Sequence, residues 1–281
     1  VPTRNRLDPV SVLNFLVIPE VSGTYPRLVE PLIYVCIPAH NEGRTIGVLI
    51  WKIRKVMREF GRDYEVLVLD DASTDEMPEV LERYRRVLPM RVLTMDRKIG
   101  YPGAVIRLLR EALDRTGYPK RDVAVILQAD FTESPEHIVP MINAIEGGAD
   151  VVAGSIRANG SPLPRSVRLA RWMAPLVLGR TFSGAPVSDP LSGFRAYRLI
   201  VLKKALQKYR DRCVLTTDGW AANLELLGIV APYARRIVET PVGLRYDVQV
   251  RPSRFRTMRT LRGLLRVRRD RWQGPDVGGG N

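Results

Sequence analysis

An α/β fold, built on a largely parallel sheet with helices on both faces, is predicted by two recurrences in this 281-residue sequence. The first is a set of short apolar runs that stop abruptly at acidic or polar residues. Leu32-Ile33-Tyr34-Val35-Cys36-Ile37 runs into Pro38-Ala39-His40-Asn41-Glu42, Val66-Leu67-Val68-Leu69 into Asp70-Asp71, and Val123-Ala124-Val125-Ile126-Leu127 into Gln128-Ala129-Asp130. Such runs, rich in β-branched residues and lacking polar alternation, suit strands covered on both faces. The second recurrence is the helical pattern that separates one run from the next. Ligands of parallel sheets bind just beyond the carboxyl ends of the strands, so the polar termini are expected on one rim.

Taken in order, residues 1 to 30 carry four prolines with mixed polarity and read as an extended leader. The α/β domain is expected over residues 31–250. After the first strand, Thr45 precedes Ile46, Leu49, Ile50, Ile53, Val56 and Met57, an apolar face at helical spacing. Met77 to Val87 and Ala104 to Leu113 repeat that pattern, Glu136 to Ile145 follows Ser134-Pro135, and Ala149 to Gly154 reads as another strand. Pro164 to Phe182 is expected to be a helix bearing Arg165, Arg168 and Arg171 beside Leu169, Trp172, Leu176 and Val177. Gly184 to Gly193 is a loop around Asp189, with helices at about 199–209 and 217–228. Residues 251–281 form a basic tail. Its stretch from Arg251 to Trp272 holds nine arginines, one acid (Asp270) and an apolar stripe of Phe255, Met258, Leu261 and Leu265.

A hydrophobic content of 45% supports a full core. The formal charge of +14 points to a negatively charged partner: nucleic acid, anionic lipid or a phosphorylated substrate. Cys36 and Cys213 are too few and too far apart for a disulfide framework or zinc-ligand spacing. No uncharged apolar stretch approaches the ~20 residues that cross a bilayer. The chain begins at Val1 rather than Met, so membrane spans outside the given sequence stay open.

The strand-end residues carry the chemistry. In Asp70-Asp71-Ala72-Ser73-Thr74-Asp75, an acidic loop between strand and helix can accept hydrogen bonds from a base and ribose, while Ser73 or Asp75 caps the next helix. Adjacent carboxylates repel and need a partner, which favours Asp71 for binding and Asp75 for capping. In Gln128-Ala129-Asp130, alternate side chains project to one side, so Asp130 can offer a carboxylate and Gln128 a neutral carbonyl to a hard divalent cation. A plain strand-end cap accounts for the tripeptide equally well.

In this order, Ile37-Pro38-Ala39-His40-Asn41-Glu42, Val68-Leu69-Asp70-Asp71-Ala72-Ser73-Thr74-Asp75 and Gln128-Ala129-Asp130 with Ser134-Pro135-Glu136 resemble the signatures of family 2 glycosyltransferases of the GT-A (Rossmann-like) fold. Gly154-Ser155-Ile156-Arg157 and Ser188-Asp189-Pro190-Leu191-Ser192-Gly193-Phe194-Arg195 narrow the resemblance to the polyprenyl-phosphate sugar synthases, the dolichol-phosphate mannose synthase group. It covers roughly residues 32 to 255. The resemblance implies that Pro38, Ala39, Glu42 and Asp71 hold the nucleotide, with Asp70, Gln128 and Ala129 beside them. It implies that Asp130, helped by Gln128, binds Mg²⁺ or Mn²⁺ on the diphosphate. Asp189 and Arg195 would lie near the transferred sugar and acceptor phosphate, with Arg157 a second phosphate contact; an arginine fork suits phosphate oxygens.

Three departures stand out. Gln128 replaces the first acid of the common Asp-Ala-Asp, removing one negative charge from the metal. Thr132 stands where many members carry Gln. Val248-Gln249-Val250-Arg251-Pro252-Ser253-Arg254 replaces the usual Arg-x-x-Gly-x-Ser-Lys, leaving Arg254 in the place of the lysine and no arginine in the first position. Thr217-Asp218-Gly219-Trp220 resembles the Thr-Glu-Asp segment of transferases that glycosylate hydroxyls, which would make Asp218 a general base.

The resulting expectation is an inverting, metal-dependent hexosyltransferase with a nucleotide sugar donor, GDP-mannose favoured over UDP-glucose, and a polyprenyl phosphate acceptor. The basic segments with apolar stripes point to peripheral binding at the anionic cytoplasmic face of a membrane. No nucleic acid is expected, since neither a recognition motif nor an aromatic stacking platform is present.

Overall fold

The structure, a computed structural model, describes residues 31–156, 168–169, 172–173, 187–209, 214–243, 260 and 262–266. The expected leader, most of the Pro164–Phe182 helix and of the basic tail, and the positions of Arg157, Arg254 and Cys213 lie outside these residues.

Among the described residues, seven strands form one sheet: β1 (Ile33–Ala39), β2 (Tyr64–Asp70), β3 (Met90–Thr94), β4 (Val123–Ile126), β5 (Val151–Ile156), β6 (Arg195–Arg198) and β7 (Ile237–Val242), in the order β3-β2-β1-β4-β6-β5-β7. Every pairing is parallel except those of β6, which runs antiparallel to both β4 and β5. Among the described residues, the helices that flank the sheet are α1 (Gly43–Phe60), α2 (Met77–Arg85), α3 (Gly100–Arg115), α4 (Ile138–Glu146), α5 (Leu199–Gln207) and α6 (Ala221–Val230).

The strand period of two sorts the buried residues into two cores. Ile33, Val35, Ile37, Val66, Val68, Val123 and Val125 face α1, α2 and α4, where Ile46, Leu49, Ile53, Leu81 and Met141 meet them. Tyr34, Cys36, Leu67, Leu69, Ala124 and Ile126 face the opposite way, onto Leu108 and Leu109 of α3, Leu202 of α5 and Leu226 of α6. Uninterrupted apolar strands are therefore explained by helices on both faces, as expected. Cys36 lies fully buried, and burial pushes its thiol pKa far up, so it packs as a small apolar group.

Three strands escape the apolar-run pattern. β3 has only Met90 buried, because it is an edge strand. β6 is four residues long and begins and ends with arginine, and β7 carries Glu239 and Pro241 at the other edge. Two helix starts also shift. α3 begins at Gly100 rather than Ala104, and α6 begins at Ala221 because residues 216–220 form a turn.

Candidate active site

The chain leaves β1 toward β2 on one side and reaches β4 on the other, so a crevice opens beyond the carboxyl ends of β1 and β4. Loops after β1, β2 and β4 surround it. Among the described residues the non-glycine positions with positive φ are Asn41 (52°), Ala72 (56°) and Phe131 (63°), one in each of these loops. Strained backbone concentrated on one rim is a mark of a binding site.

Side chains lock the loops together. Asn41 accepts the Thr74 N–H through Oδ1 at 2.8 Å, and its own N–H goes to Ser73 Oγ at 2.9 Å. His40 Nδ1 bonds the Asp71 carbonyl at 2.8 Å. Thr45 donates its hydroxyl to Ala129 O at 2.9 Å, tying the first turn of α1 to the loop after β4. Glu42 is buried where α1 begins, with its carbonyl receiving Ile46 N at 2.9 Å and its carboxylate beside the Thr45 hydroxyl.

The acidic pair has its partners in the protein. Asp70 accepts Ser73 N at 2.9 Å. Asp71, buried, accepts Ile99 N at 2.6 Å and Gly100 N at 2.9 Å. Both carboxylate oxygens of Asp71, expected from the resemblance to hold the nucleotide, shape the approach to α3, because the amides that open that helix need acceptors. Asp75 caps as expected, receiving Gly43 N at 2.9 Å and Met77 N at 3.2 Å.

After β4, Asp130 Oδ1 accepts the Thr132 N–H at 3.1 Å and hydroxyl at 2.6 Å. Gln128 gives its N–H to Glu133 Oε2 at 3.0 Å and its side-chain amide to Oε1 at 3.4 Å. Glu133, buried, is a site residue that the sequence reading passed over. With its NH₂ group turned to Glu133, the Gln128 amide keeps its carbonyl oxygen as an acceptor. No group of three or more potential metal-binding side chains occurs among the described residues. Asp130 offers a carboxylate and Gln128 an amide carbonyl, oxygen donors of the kind a hard divalent cation takes.

The antiparallel course of β6 brings the fourth loop to the same rim. Arg195, its first residue, sits opposite Ile126 of β4 and Ala153 of β5, so the preceding turn lies at their carboxyl ends. Asp189 in this turn is 8% exposed and accepts Leu191 N at 3.2 Å. Glu239 of β7, also unforeseen, receives Ser188 N at 2.5 Å and Ser188 Oγ at 2.9 Å. Arg195, expected near the transferred sugar and acceptor phosphate, is 1% exposed and donates to Pro190 O through Nη2 at 2.8 Å and to Asn223 O through Nη1. Its guanidinium thus fixes the backbone of the turn that bears Asp189.

Asp218 lies exposed in the turn before α6. Its neighbours Thr216 and Thr217 give both N–H groups and both hydroxyls to Glu225, so the turn is anchored on α6. Pro38 and Ala39 lie at the end of β1, Ala39 buried and pairing with Asp70 of β2.

Against known proteins, the chain is 27% identical over 246 residues to the dolichol-phosphate mannosyltransferase of Pyrococcus furiosus, covering 85% of this chain and 64% of that protein. It is 27% identical over 232 residues to the polyprenol monophosphomannose synthase of Mycolicibacterium smegmatis, covering 79% and 81%. The chain thus spans less than two thirds of the first relative's length. Among solved structures, glucosyl-3-phosphoglycerate synthase from Mycobacterium tuberculosis, in complex with Mn²⁺, uridine diphosphate and phosphoglyceric acid, superposes with a TM-score of 0.57 at 21% identity over 90% of this chain and 82% of that one. The fold is of the GT-A type. The model for "Glycosyl transferase family 2" matches residues 34–206, from β1 into α5, and the chain belongs to that family.

Proposed function

We propose that this chain transfers a hexose from a nucleotide diphosphate sugar to a polyprenyl phosphate with inversion at the anomeric carbon, mannose from GDP-mannose being the favoured pair. The observation that carries the reading is the pairing of Ile126 at the end of β4 with Arg195 at the start of antiparallel β6, which supports a shared rim for the loops that bear Asp130 and Asp189. The mannosyltransferase and phosphomannose synthase names of the relatives support a lipid phosphate acceptor.

The residues divide the work. The loops after β1 and β2 receive the nucleotide, with Pro38, Ala39 and Glu42 at the crevice and Asp70 and Asp71 holding its walls. Asp130 and the Gln128 carbonyl would hold Mg²⁺ or Mn²⁺, which as a Lewis acid would stabilise negative charge on the leaving diphosphate. Asp189 faces the transfer side, where Arg157 and Arg254 are proposed to meet phosphate. A phosphate oxygen is already anionic at neutral pH, so the attack needs no strong general base and the protein mainly positions the reactants.

The acceptor places the chemistry at a membrane surface. No helix among the described residues is long and apolar enough to cross a membrane. Leu169 (48%), Trp172 (68%) and Leu265 (52%) are exposed large apolar side chains within the two arginine-rich segments, which supports peripheral attachment to anionic lipid.

Incubation with Mg²⁺, phospholipid and a panel of nucleotide sugars, with and without polyprenyl phosphate, tests the reading through nucleoside diphosphate release and lipid-linked sugar. Turnover that requires the lipid phosphate is expected. Turnover that ignores it, and is crippled by Asp218→Asn without loss of donor binding, would replace it with glycosylation of a hydroxyl.

A further inference from the structure

A buried polar link joins the donor side of the rim to the turn bearing Asp189. Tyr101, in the first turn of α3, donates its hydroxyl to Asn223 Oδ1 at 2.8 Å. Asn223, on α6 and 4% exposed, donates its amide to Leu191 O at 3.0 Å. Its own carbonyl and that of Pro190 receive the Arg195 guanidinium. Just before Tyr101, the N–H groups of Ile99 and Gly100 are held by Asp71. A continuous set of hydrogen bonds and short backbone segments therefore runs from the end of β2 to Pro190-Leu191, adjoining Asp189.

The contact is tight at Gly193. A Cβ there would lie 2.8 Å from the Tyr101 hydroxyl and 3.1 Å from Asn223 Nδ2, so only glycine lets the turn pass against the pair. Burial pushes the Tyr101 pKa far up, and the group stays a protonated donor throughout the neutral range. The Tyr101 hydroxyl, the Asn223 amide and both Arg195 Nη groups are bonded, Arg195 Nε alone of the guanidinium being buried without a partner, and such buried bonds hold one arrangement in preference to its neighbours.

We infer that Tyr101 and Asn223 are positioning residues that keep the Asp189 turn in register with the donor-side loop, so that the sugar passes to the acceptor and not to water. This rests on the transfer reaction proposed above. In the unwanted event a water oxygen bonds to the anomeric carbon, the bond from that carbon to the diphosphate oxygen breaks, and the water's proton goes to solvent. Displacing a reacting group by about 1 Å can cost on the order of 100-fold in rate, and losing one buried hydrogen bond is enough to loosen the turn.

The test compares wild type, Tyr101→Phe, Gly193→Ala and the double variant, using the nucleotide sugars, Mn²⁺ and polyprenyl phosphate in phospholipid vesicles. Tyr101→Phe keeps the ring volume and removes only the hydroxyl. It is expected to raise the ratio of nucleoside diphosphate released to glycolipid formed by about 3- to 10-fold and to lower kcat, with donor KM nearly unchanged. Gly193→Ala should be the worse single change. Adding Tyr101→Phe should recover part of its activity by removing the closest clash, a coupling that a general loss of stability would not produce.

A second arm needs no turnover: hydrogen exchange with GDP or UDP plus Mn²⁺ should slow the amides of Asp189 and residues 191–193 in wild type and not in Tyr101→Phe. An unchanged product ratio together with equal protection in both proteins overturns the link and leaves the transfer reaction standing. A wild type that makes no glycolipid, yet shows the difference in exchange, removes the lipid-phosphate reading and leaves the link.

Discussion

The Asp71 carboxylate accepts the backbone N–H of Ile99 at 2.6 Å, so an acid at the end of β2 fixes the entry of α3. Asp71→Ala would strand that N–H and its neighbour on Gly100. A loss of about 1–3 kcal/mol of stability is expected, with Asp71→Asn, which keeps one acceptor oxygen, losing less. Urea denaturation of both variants measures it; wild-type midpoints for both would mean that these bonds carry no weight.

Asp130→Ala is expected to abolish transfer while leaving the fold intact, since its bonds to Thr132 stay within one loop. Circular dichroism with Mn²⁺ titration calorimetry separates the two effects. Full activity in this variant with metal present would remove Asp130 from the mechanism.

Acid should weaken the fold through His137. Its Nε2 accepts the Gly243 N–H at 3.1 Å, which only the neutral ring can do. Burial pushes the pKa below its ordinary value of 6.5, Glu136 partly opposing. As pH falls below that value the unfolded ring takes up its proton first, so stability is full above it and declines toward the folded pKa. Denaturation midpoints at about pH 7.5 and about pH 5.5 should differ more for wild type than for His137→Gln. An equal difference in the two proteins would assign the acid sensitivity to other groups.

Gly154→Ala should destabilise by about 1–3 kcal/mol through overpacking. A Cβ would lie 3.1 Å from Phe194 O and 3.2 Å from both Met141 and Val242 side chains, where β5 meets β6 and β7. Thermal melting reports it. An unshifted Tm would show that the sheet relaxes around the methyl group.

Anionic vesicles should co-sediment the protein at low salt and release it as salt rises, because the basic faces act through screened charge. Trp172→Ala, removing a side chain 68% exposed, should weaken binding without altering donor hydrolysis. Failure to bind at low salt would count against peripheral attachment.

Local sequence carried the parallel core. β1, β2 and β4 are buried on both faces, so their apolar runs had to be continuous, and their polar ends mark the rim in the sequence itself. The capping role of Asp75 was legible for the same reason, since a helix start asks for a nearby acceptor. Tertiary structure decided the rest. β6, with arginine at each end, reads as a loop until β4 and β5 bury it, and its antiparallel direction is what delivers Asp189 to the rim. Partner choice was equally out of reach: Asp71 meets amides 28 and 29 residues away, Gln128 meets Glu133, and Arg195 turns inward to carbonyls. Strand period and apolar burial are properties of a segment, whereas the partner of a buried charge depends on which distant backbone groups the fold leaves unsatisfied.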